Sequence, residues 1–346
     1  MAQLVQYTPE HFGLLRRAAE QVAQATSLLH RPFVDHYYAA SEWCSLHLFL
    51  ADDGTVAGTV GVERMPLACG DDALTVGFGS SFYTLQPGAG GYLFMQWLKT
   101  CPAGLVFGGS ADTHRILRQQ QWTYYPGVKL YHLNQAYEPR PGEPVWRRLA
   151  RRAVLAARRT SLAECAARLP AEAARLAVVE ERAYTDDLLP DRSPFSLRFA
   201  PGVDYLRWRY GLDLPFVRYR LFRILDGDAT AGYVVLNDRP DRLVVAHADG
   251  IAPSALACGV LLSLVDASRD DERPRAATLA CSHPAMQPVY ERSRFRAAAA
   301  ERPFALGSLR GKIAVPADTS GWLVNLGWGD NDLRAPFLDP PAEGSH

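Results

Sequence analysis

Residues 48–60 read LFLADDGTVAGTV, and residues 221–234 read LFRILDGDATAGYV. Both begin Leu-Phe, turn at Asp-Gly and resume at Ala-Gly with a β-branched run. Leu48 and Leu221 are 173 positions apart, Gly58 and Gly232 are 174 apart, and Trp122 and Phe295, which end RILRQQQW and PVYERSRF, are again 173 apart. An insertion compensated by a later deletion accounts for the one slip, whereas chance matches would scatter. The period is far longer than the roughly 20–50 residues of solenoid repeats, so it marks two copies of one domain.

Size agrees, since 346 residues exceed what one core supports. A hydrophobic content of 48% with 10% aromatics excludes global disorder. Lys+Arg and Asp+Glu both total 37, so the chain lacks the basic excess of a nucleic-acid binder. The 6 cysteines show no CxxC or Cys/His finger spacing and read as reduced, buried thiols. Neither HExxH nor another metal-ligand spacing appears. The uncharged stretch 73–98 contains Ser80, Ser81, Gln86 and Pro87, which lipid would not tolerate, and the apolar stretch 250–265 is too short to span. The N-terminus shows no charged and apolar leader pattern, so the expectation is a soluble, cytoplasmic protein.

Spacing predicts a helix over 11–25, a hairpin over 47–62 about Asp53-Gly54, a strand over 74–85, a helix over 88–98, a strand at 105–107 and a helix over 112–121. The second half repeats the order: a helix near 171–184, a hairpin over 219–237, a strand over 243–248, a helix over 254–268, a strand over 276–280 and a helix over 284–293. Between them EPRPGEP (138–144) marks a linker. This divides the chain into an N-terminal domain (1–137), a linker and helix (138–170) and a C-terminal domain with an extension (171–346). Arg147, Arg148, Arg151, Arg152, Arg158 and Arg159 crowd the segment 146–160. They read as a solvated helix face bridging the domains, or as a docking face for an acidic partner or an anionic membrane surface.

The stretch with most chemical content is Tyr83-Thr-Leu-Gln-Pro-Gly-Ala-Gly-Gly-Tyr-Leu93. A strand runs into a glycine-rich turn that opens a helix. Glycines let backbone N–H groups converge, the first N–H groups of a helix have no internal partner, and the helix dipole is positive there. Such a site binds pyrophosphate without a lysine. No Gly-Lys-Ser/Thr follows, so it is not a P-loop, and Gly77-x-Gly79 continues to Phe82 rather than a third glycine, so the dinucleotide fingerprint fails too.

These features resemble the GNAT (GCN5-related N-acetyltransferase) superfamily. Its Arg/Gln-x-x-Gly-x-Gly/Ala loop, between the fourth strand and the next helix, holds the pyrophosphate of acyl-CoA. Gln86, Ala89 and Gly91 fall on those positions, with Ala89 replacing the first glycine. The ends Arg115–Trp122 and Val289–Phe295 resemble the superfamily's second motif, Asn-x-x-Ala-x-x-x-Tyr-x-x-x-x-Gly/aromatic. The resemblance implies two tandem GNAT-like α/β domains, each a mixed, mostly antiparallel sheet flanked by helices. It also implies acetyl-CoA or another acyl-CoA as cofactor, with Tyr83, Leu85, Gln86, Gly88, Ala89, Gly90, Gly91 and Tyr92 as its contacts.

The implied chemistry is acyl transfer to an amine. A backbone N–H at a bulge in the fourth strand polarises the thioester carbonyl, a base takes the amine proton, and a tyrosine on the last helix protonates the thiolate. In the first half that tyrosine position is Leu117; in the second it is Tyr290. The second half's counterpart of the loop, Asp249-Gly-Ile-Ala-Pro-Ser-Ala, has lost its glycines. Tyr83 is therefore a candidate acid beside Tyr290. His114 and His283, near the start of each last helix, are candidate bases or packing residues.

Two further clusters, Asp204-Tyr-Leu-Arg-Trp-Arg-Tyr210 and Trp322-Leu-Val-Asn-Leu-Gly-Trp-Gly-Asp-Asn-Asp-Leu333, resemble patterns in tandem GNAT proteins of bacterial polysaccharide and cell-envelope biosynthesis. They read either as core anchors and turn residues or as an acceptor wall. On the second reading Trp208, Arg209, Tyr210, Asp330 and Asp332 hold an amino sugar or nucleotide-sugar in one cleft between the domains. Two rivals to the acyltransferase stand: an aminoacyl-tRNA-dependent transferase of the peptidoglycan-bridge type, against which the zero net charge counts, and a non-catalytic assembly protein, for which Leu117 counts.

Overall fold

The structure, a computed structural model, describes residues 3–22, 25–101, 103–134, 142–190, 192–308, 313–329 and 331–333. The first half runs β1 (Gln3–Gln6), α1 (Phe12–Ala19), α2 (Arg31–Val34), β2 (Cys44–Leu50), β3 (Val56–Cys69), β4 (Asp72–Thr84), α3 (Ala89–Thr100), β5 (Ala103–Phe107), α4 (Ala111–Gln119) and β6 (Thr123–Leu133). Helices α5 (Val145–Ala157) and α6 (Leu162–Ala166) follow. The second half runs β7 (Leu176–Glu181), β8 (Leu197–Phe199), α7 (Val203–Arg209), β9 (Tyr219–Asp226), β10 (Ala229–Asp238), β11 (Arg242–Gly250), α8 (Pro253–Ala267), β12 (Ala276–Cys281), α9 (Gln287–Arg292), β13 (Arg296–Ala297), β14 (Arg302–Ser308) and β15 (Trp322–Leu323).

The main path of the sheet is β1-β2-β3-β4-β5-β14-β6-β12-β11-β10-β9-β7. Read from its two ends inward, it is the same order twice. The equivalents are β1 and β7, β2 and β9, β3 and β10, β4 and β11, and β5 and β12. At the centre the two halves exchange their last strands: β14 pairs with β5 of the first half, and β6 with β12 of the second. β6 also pairs with β14, Thr123 with Leu306, and with the short β13 that precedes β14, His132 with Arg296. Under the repeat, residue 123 corresponds to 296 and residue 133 to 306, so this contact is nearly self-complementary, as across a two-fold axis. Along this main path the ladder of each half is antiparallel except for β4–β5 and β11–β12, which are parallel.

Three cores result. Val60 and Val62 of β3 face α3, with Leu93, Trp97, Leu117 and Trp122. Met65 and Leu67 of the same strand face a central core shared by both halves, with Phe78, Tyr210, Val244 and Trp328. Burial on both faces explains why β3 is apolar without clean alternation. The third core lies under α6, α8 and α9. Helix α8 is buried all round, with Leu256, Cys258, Val260 and Leu261 at 1% exposure or less, which accounts for the apolar stretch 250–265. No helix among the described residues is long and apolar enough to cross a membrane.

The helix expected near 171–184 is instead a short 3-10 turn (Ala171–Arg175) followed by strand β7. ARLAVVEE favours helix locally, but pairing with β9 from Leu176–Asp226 to Glu181–Leu221 overrides it. Strand β1, at the equivalent edge, gives no sequence signal of its own. The end of the N-terminal domain, 135–137, and the linker's first part, 138–141, lie outside the described residues.

Candidate active site

β4 carries an extra residue relative to β3. Thr59 pairs with Tyr83 but Gly61 with Ser80, so the β4 ladder bulges at Ser81 and Phe82. Ser81 has φ +46°, a conformation that costs a non-glycine residue about 1–3 kcal/mol and persists only where its surroundings enforce it. The enforcing groups are visible. Thr59 Oγ1 donates to the Ser81 carbonyl at 2.7 Å. The Tyr38 hydroxyl bonds the Ser81 and Ser80 hydroxyls at 3.0 and 3.2 Å. Tyr38 stands on a π-helical turn, Asp35–Ala39, a form often found at functional sites.

Beyond the bulge the chain enters the glycine turn. Leu85 and Gln86 both donate to the Ala57 carbonyl, which ties the turn to β3. Gly88 caps α3 at φ +87°, where a side chain is strained. Gln86, Gly88 and Gly91 are exposed while Ala89 is buried. A Cβ on Gly91 would meet nothing within 4 Å. The first turn of α3 thus presents backbone N–H groups to an open face, a fit for a pyrophosphate. Tyr92, 67% exposed, stacks on Phe49 at 5.3 Å beside this face. By contrast Gly77 and Gly79 serve packing: a Cβ on Gly79 would meet the Trp97 ring at 2.8 Å.

β4 and β5 pair only at Gly77–Gly104 and Phe78–Leu105, then diverge. The bulge is on one bank of this opening. On the other, just past β5, is His114 on α4, whose Nδ1 bonds the Tyr124 hydroxyl at 2.9 Å. Burial lowers the pKa of the ring, against the opposing effect of a hydrogen bond with the Gly108 backbone, and so favours the neutral form at pH 7. Leu117, one turn further, is buried against α3. Tyr83, half-buried, lines a narrow apolar pocket against the bulge with Leu15, Ala19, Leu28 and Thr59.

The other sequence-derived residues lie elsewhere. Tyr290 is 2% exposed in the core under α8, in the half opposite the glycine turn, and burial raises its pKa well above the usual phenol value. Trp208, Arg209, Tyr210 and Asp332 do come together, but inside the protein: Arg209 and Tyr210 are 1% and 0% exposed and Asp332 is 0%. They do not line an open cleft, the setting expected of an acceptor wall. Arg209 pairs with Asp332 and donates to the Tyr219 hydroxyl at 3.0 Å, which donates to Asp332 at 2.6 Å. Glu63 accepts from Tyr37 and Tyr205 in the same cluster. Asp330 lies outside the described residues. Sequence reasoning missed Tyr38 and the role of Ser81, because a bulge is a register fact with no compositional signature.

The second half lacks the opening. β11 also bulges, where Val235 pairs with His247 and Leu236 with Val245. The C-terminal segment fills the divergence that follows. Gly327 N donates to the Ala246 carbonyl at 2.8 Å, Asn325 Nδ2 to the Ala248 carbonyl at 2.9 Å, and the Ser282 hydroxyl bridges to Trp322 and Val324. Buried Asp249, paired with Arg198, stands at the equivalent of Tyr83.

Solved structures share this arrangement. A GCN5-related N-acetyltransferase from Anabaena variabilis superposes with TM-score 0.55 at 10% identity, over 88% of this chain and 72% of that one. A tandem GNAT protein from the clavulanic acid biosynthesis pathway superposes with TM-score 0.51 at 13% identity, over 88% and 97%. The chain has the tandem GNAT fold. A GCN5-related N-acetyltransferase from Kribbella flavida is similar too, with TM-score 0.53 at 13% identity over 89% and 72%. No protein-family model matches the chain, and no curated protein matches it by sequence. At these identities the likeness is one of fold, so the GNAT site must be argued from the residues. The bulge and the glycine turn on α3 stand in the first half, and only there do both remain open.

Proposed function

We propose that the chain is an acyl-CoA-dependent N-acyltransferase, working in the cytoplasm, with one cofactor site in its first half. The observation that carries this is the open first turn of α3 beside the bulge of β4, set against the filled equivalent in the second half. Gln86, Gly88, Ala89, Gly90 and Gly91 would hold the pyrophosphate through backbone N–H groups, with Tyr83, Leu85 and Tyr92 alongside. Acyl-CoA, when bound, supplies an activated thioester. The residue left out of the β3–β4 ladder frees an N–H near Ser81 to polarise the acyl carbonyl. Tyr83 and Tyr38 are the phenols nearest the bulge in sequence and bonding, and His114 is the titratable group on the far bank. Tyr83 is the preferred acid and His114 the preferred base; Tyr290 is too deeply buried in the other half to serve.

The acyl group is read as a short one such as acetyl, because the apolar gap formed by Leu15, Ala19 and Leu28 beside the bulge is only about 10 Å³, which admits no chain without rearrangement. The acceptor is read as a small amine. A polar pocket of about 710 Å³, lined by Trp43, Arg64, Asp204, Tyr205 and Arg207, opens where the β3–β4 hairpin meets α7, and its aromatic and charged groups suit an amino sugar. In this reading Arg209 and Asp332 are the pillar behind that pocket rather than its wall. Titration calorimetry with acetyl-CoA and CoA tests the proposal. One site per chain, lost on Gly91→Leu, supports it; no binding by the folded chain favours the assembly-protein rival.

A further inference from the structure

We propose that α5 is an interfacial helix that seats this protein on an anionic lipid surface, a property beyond the acyl transfer proposed above. None of its residues is buried. Trp146 is 65% and Leu149 60% exposed, and Val145 and Val154 are exposed as well. At about 100° per residue, Val145, Trp146, Leu149, Ala150, Ala153 and Val154 fall on one half of the helix. Arg147, Arg148, Arg151 and Arg152 occupy the other, with Leu155 the one apolar residue among them.

The charge is equally one-sided. The chain is neutral overall, yet 145–163 contains six arginines and no acidic residue. Glu143 pairs with Arg151, and Arg147 lies over the Trp146 ring at 5.1 Å. No carboxylate pairs with Arg147, Arg152, Arg158 or Arg159 among the described residues.

A 13-residue helix without packing is marginal in water, because most helical stability in proteins comes from covering an apolar face. Its first turn has no acidic residue and no side-chain cap, so it gains nothing there from capping or the dipole. Something must cover the apolar half while neutralising arginines on its flank. An anionic bilayer does both: acyl chains take Trp146 and Leu149, and lipid phosphates take the arginines. A polyanion such as a nucleic acid would match the charge but leave the aromatic and aliphatic half in water.

The test is sedimentation of the full chain with vesicles of phosphatidylcholine alone and with about a third phosphatidylglycerol, a mixture chosen for its surface charge. The expected result is at least about tenfold more protein on the anionic vesicles, reduced by salt. It should fall severalfold both in Trp146→Ser/Leu149→Ser and in Arg147→Gln/Arg151→Gln/Arg152→Gln. Both variants should melt as the wild type does, since α5 supports no core. Equal partition onto neutral and anionic vesicles overturns the proposal. So does binding that ignores the apolar pair, or failure to bind anionic vesicles. A wild-type dimer in solution that Trp146→Ser/Leu149→Ser dissociates also overturns it, by assigning the face to a second copy.

Discussion

The bulge of β4 and the bulge of β11 occupy equivalent places in the two halves, and their surroundings differ at nearly every position. Thr59 faces Tyr83 in one; Tyr233 faces Asp249 in the other. Thr59 anchors the Ser81 carbonyl, whereas Tyr233 bonds His247. One strand leads into an exposed glycine turn. The other leads into Ile251-Ala-Pro-Ser, and its opening is filled by Asn325 and Gly327. Duplication preserved the strand order, even to the exchanged strands at the centre, but not the chemistry at the bulge. Ladder register depends on backbone bonding and apolar faces, which many sequences satisfy. A phosphate cradle depends on a few positions without side chains, and the second half has lost them.

The largest expected effect sharpens this division by striking what joins the halves. Asp332→Ala removes the close partner of buried Arg209 and leaves it only the longer contact to Glu63 at 3.9 Å, so chemical denaturation should show a loss of about 3–5 kcal/mol. The cofactor turn is untouched, so CoA affinity of the remaining folded protein should not change. A variant of near wild-type stability would mean the pillar is dispensable, and would return these residues to an acceptor role.

Next is the segment filling the second half. A Cβ on Gly327 would meet the Ala246 carbonyl at 2.5 Å and the Tyr210 hydroxyl at 2.9 Å. Gly327→Val should therefore cost about 1–3 kcal/mol as the overpacked segment shifts. The number of CoA sites should remain one, because clearing the opening does not restore the glycines. Two sites in this variant would show that the filling segment alone separates the halves.

A smaller effect reads the second bulge through its titration. Burial holds His247 down to about 3, so below pH 6.5 the unfolded chain takes a proton that the folded chain refuses, and stability falls as pH falls. Burial pushes Asp249 up to about 6, so the folded chain takes its proton first, and stability rises as pH falls from 6 towards 4. Between pH 7 and 5 the two nearly offset, leaving a net loss under about 1 kcal/mol. Asp249→Asn removes the compensation and should expose a loss of about 2 kcal/mol over that interval. A variant with a flat profile would mean His247 is not shielded as the structure shows. The first bulge, with Ser81 and Thr59, has no such pair.

How much of this could be read from the chain varies with the kind of fact. The repeat, the hairpins and the glycine turn are local in sequence and were legible. α5 was legible too, from its arginines. The exchange of β6 and β14 was not, since it depends on which half a strand pairs with, and either choice satisfies the same residues. Trp208, Arg209 and Asp332 were legible as partners, but core anchor and acceptor wall both stood: an aromatic-plus-charge cluster has the same composition whether it lines a cleft or closes a core. The Trp322–Gly327 segment gave no sign that it fills the second opening, because its bonds to β11 are made by backbone and one asparagine.

The central claim is that this molecule has one acyl-CoA site, made by the open turn of α3. Calorimetric titration of acetyl-CoA into the wild type and into Gly91→Leu decides it. Nothing lies within 4 Å of a Cβ at Gly91, so the variant should keep its melting temperature while its affinity falls at least about tenfold, as a side chain bars the phosphate from the backbone. The wild type should bind one equivalent. Unchanged affinity in the variant, or two equivalents in the wild type, would contradict the account.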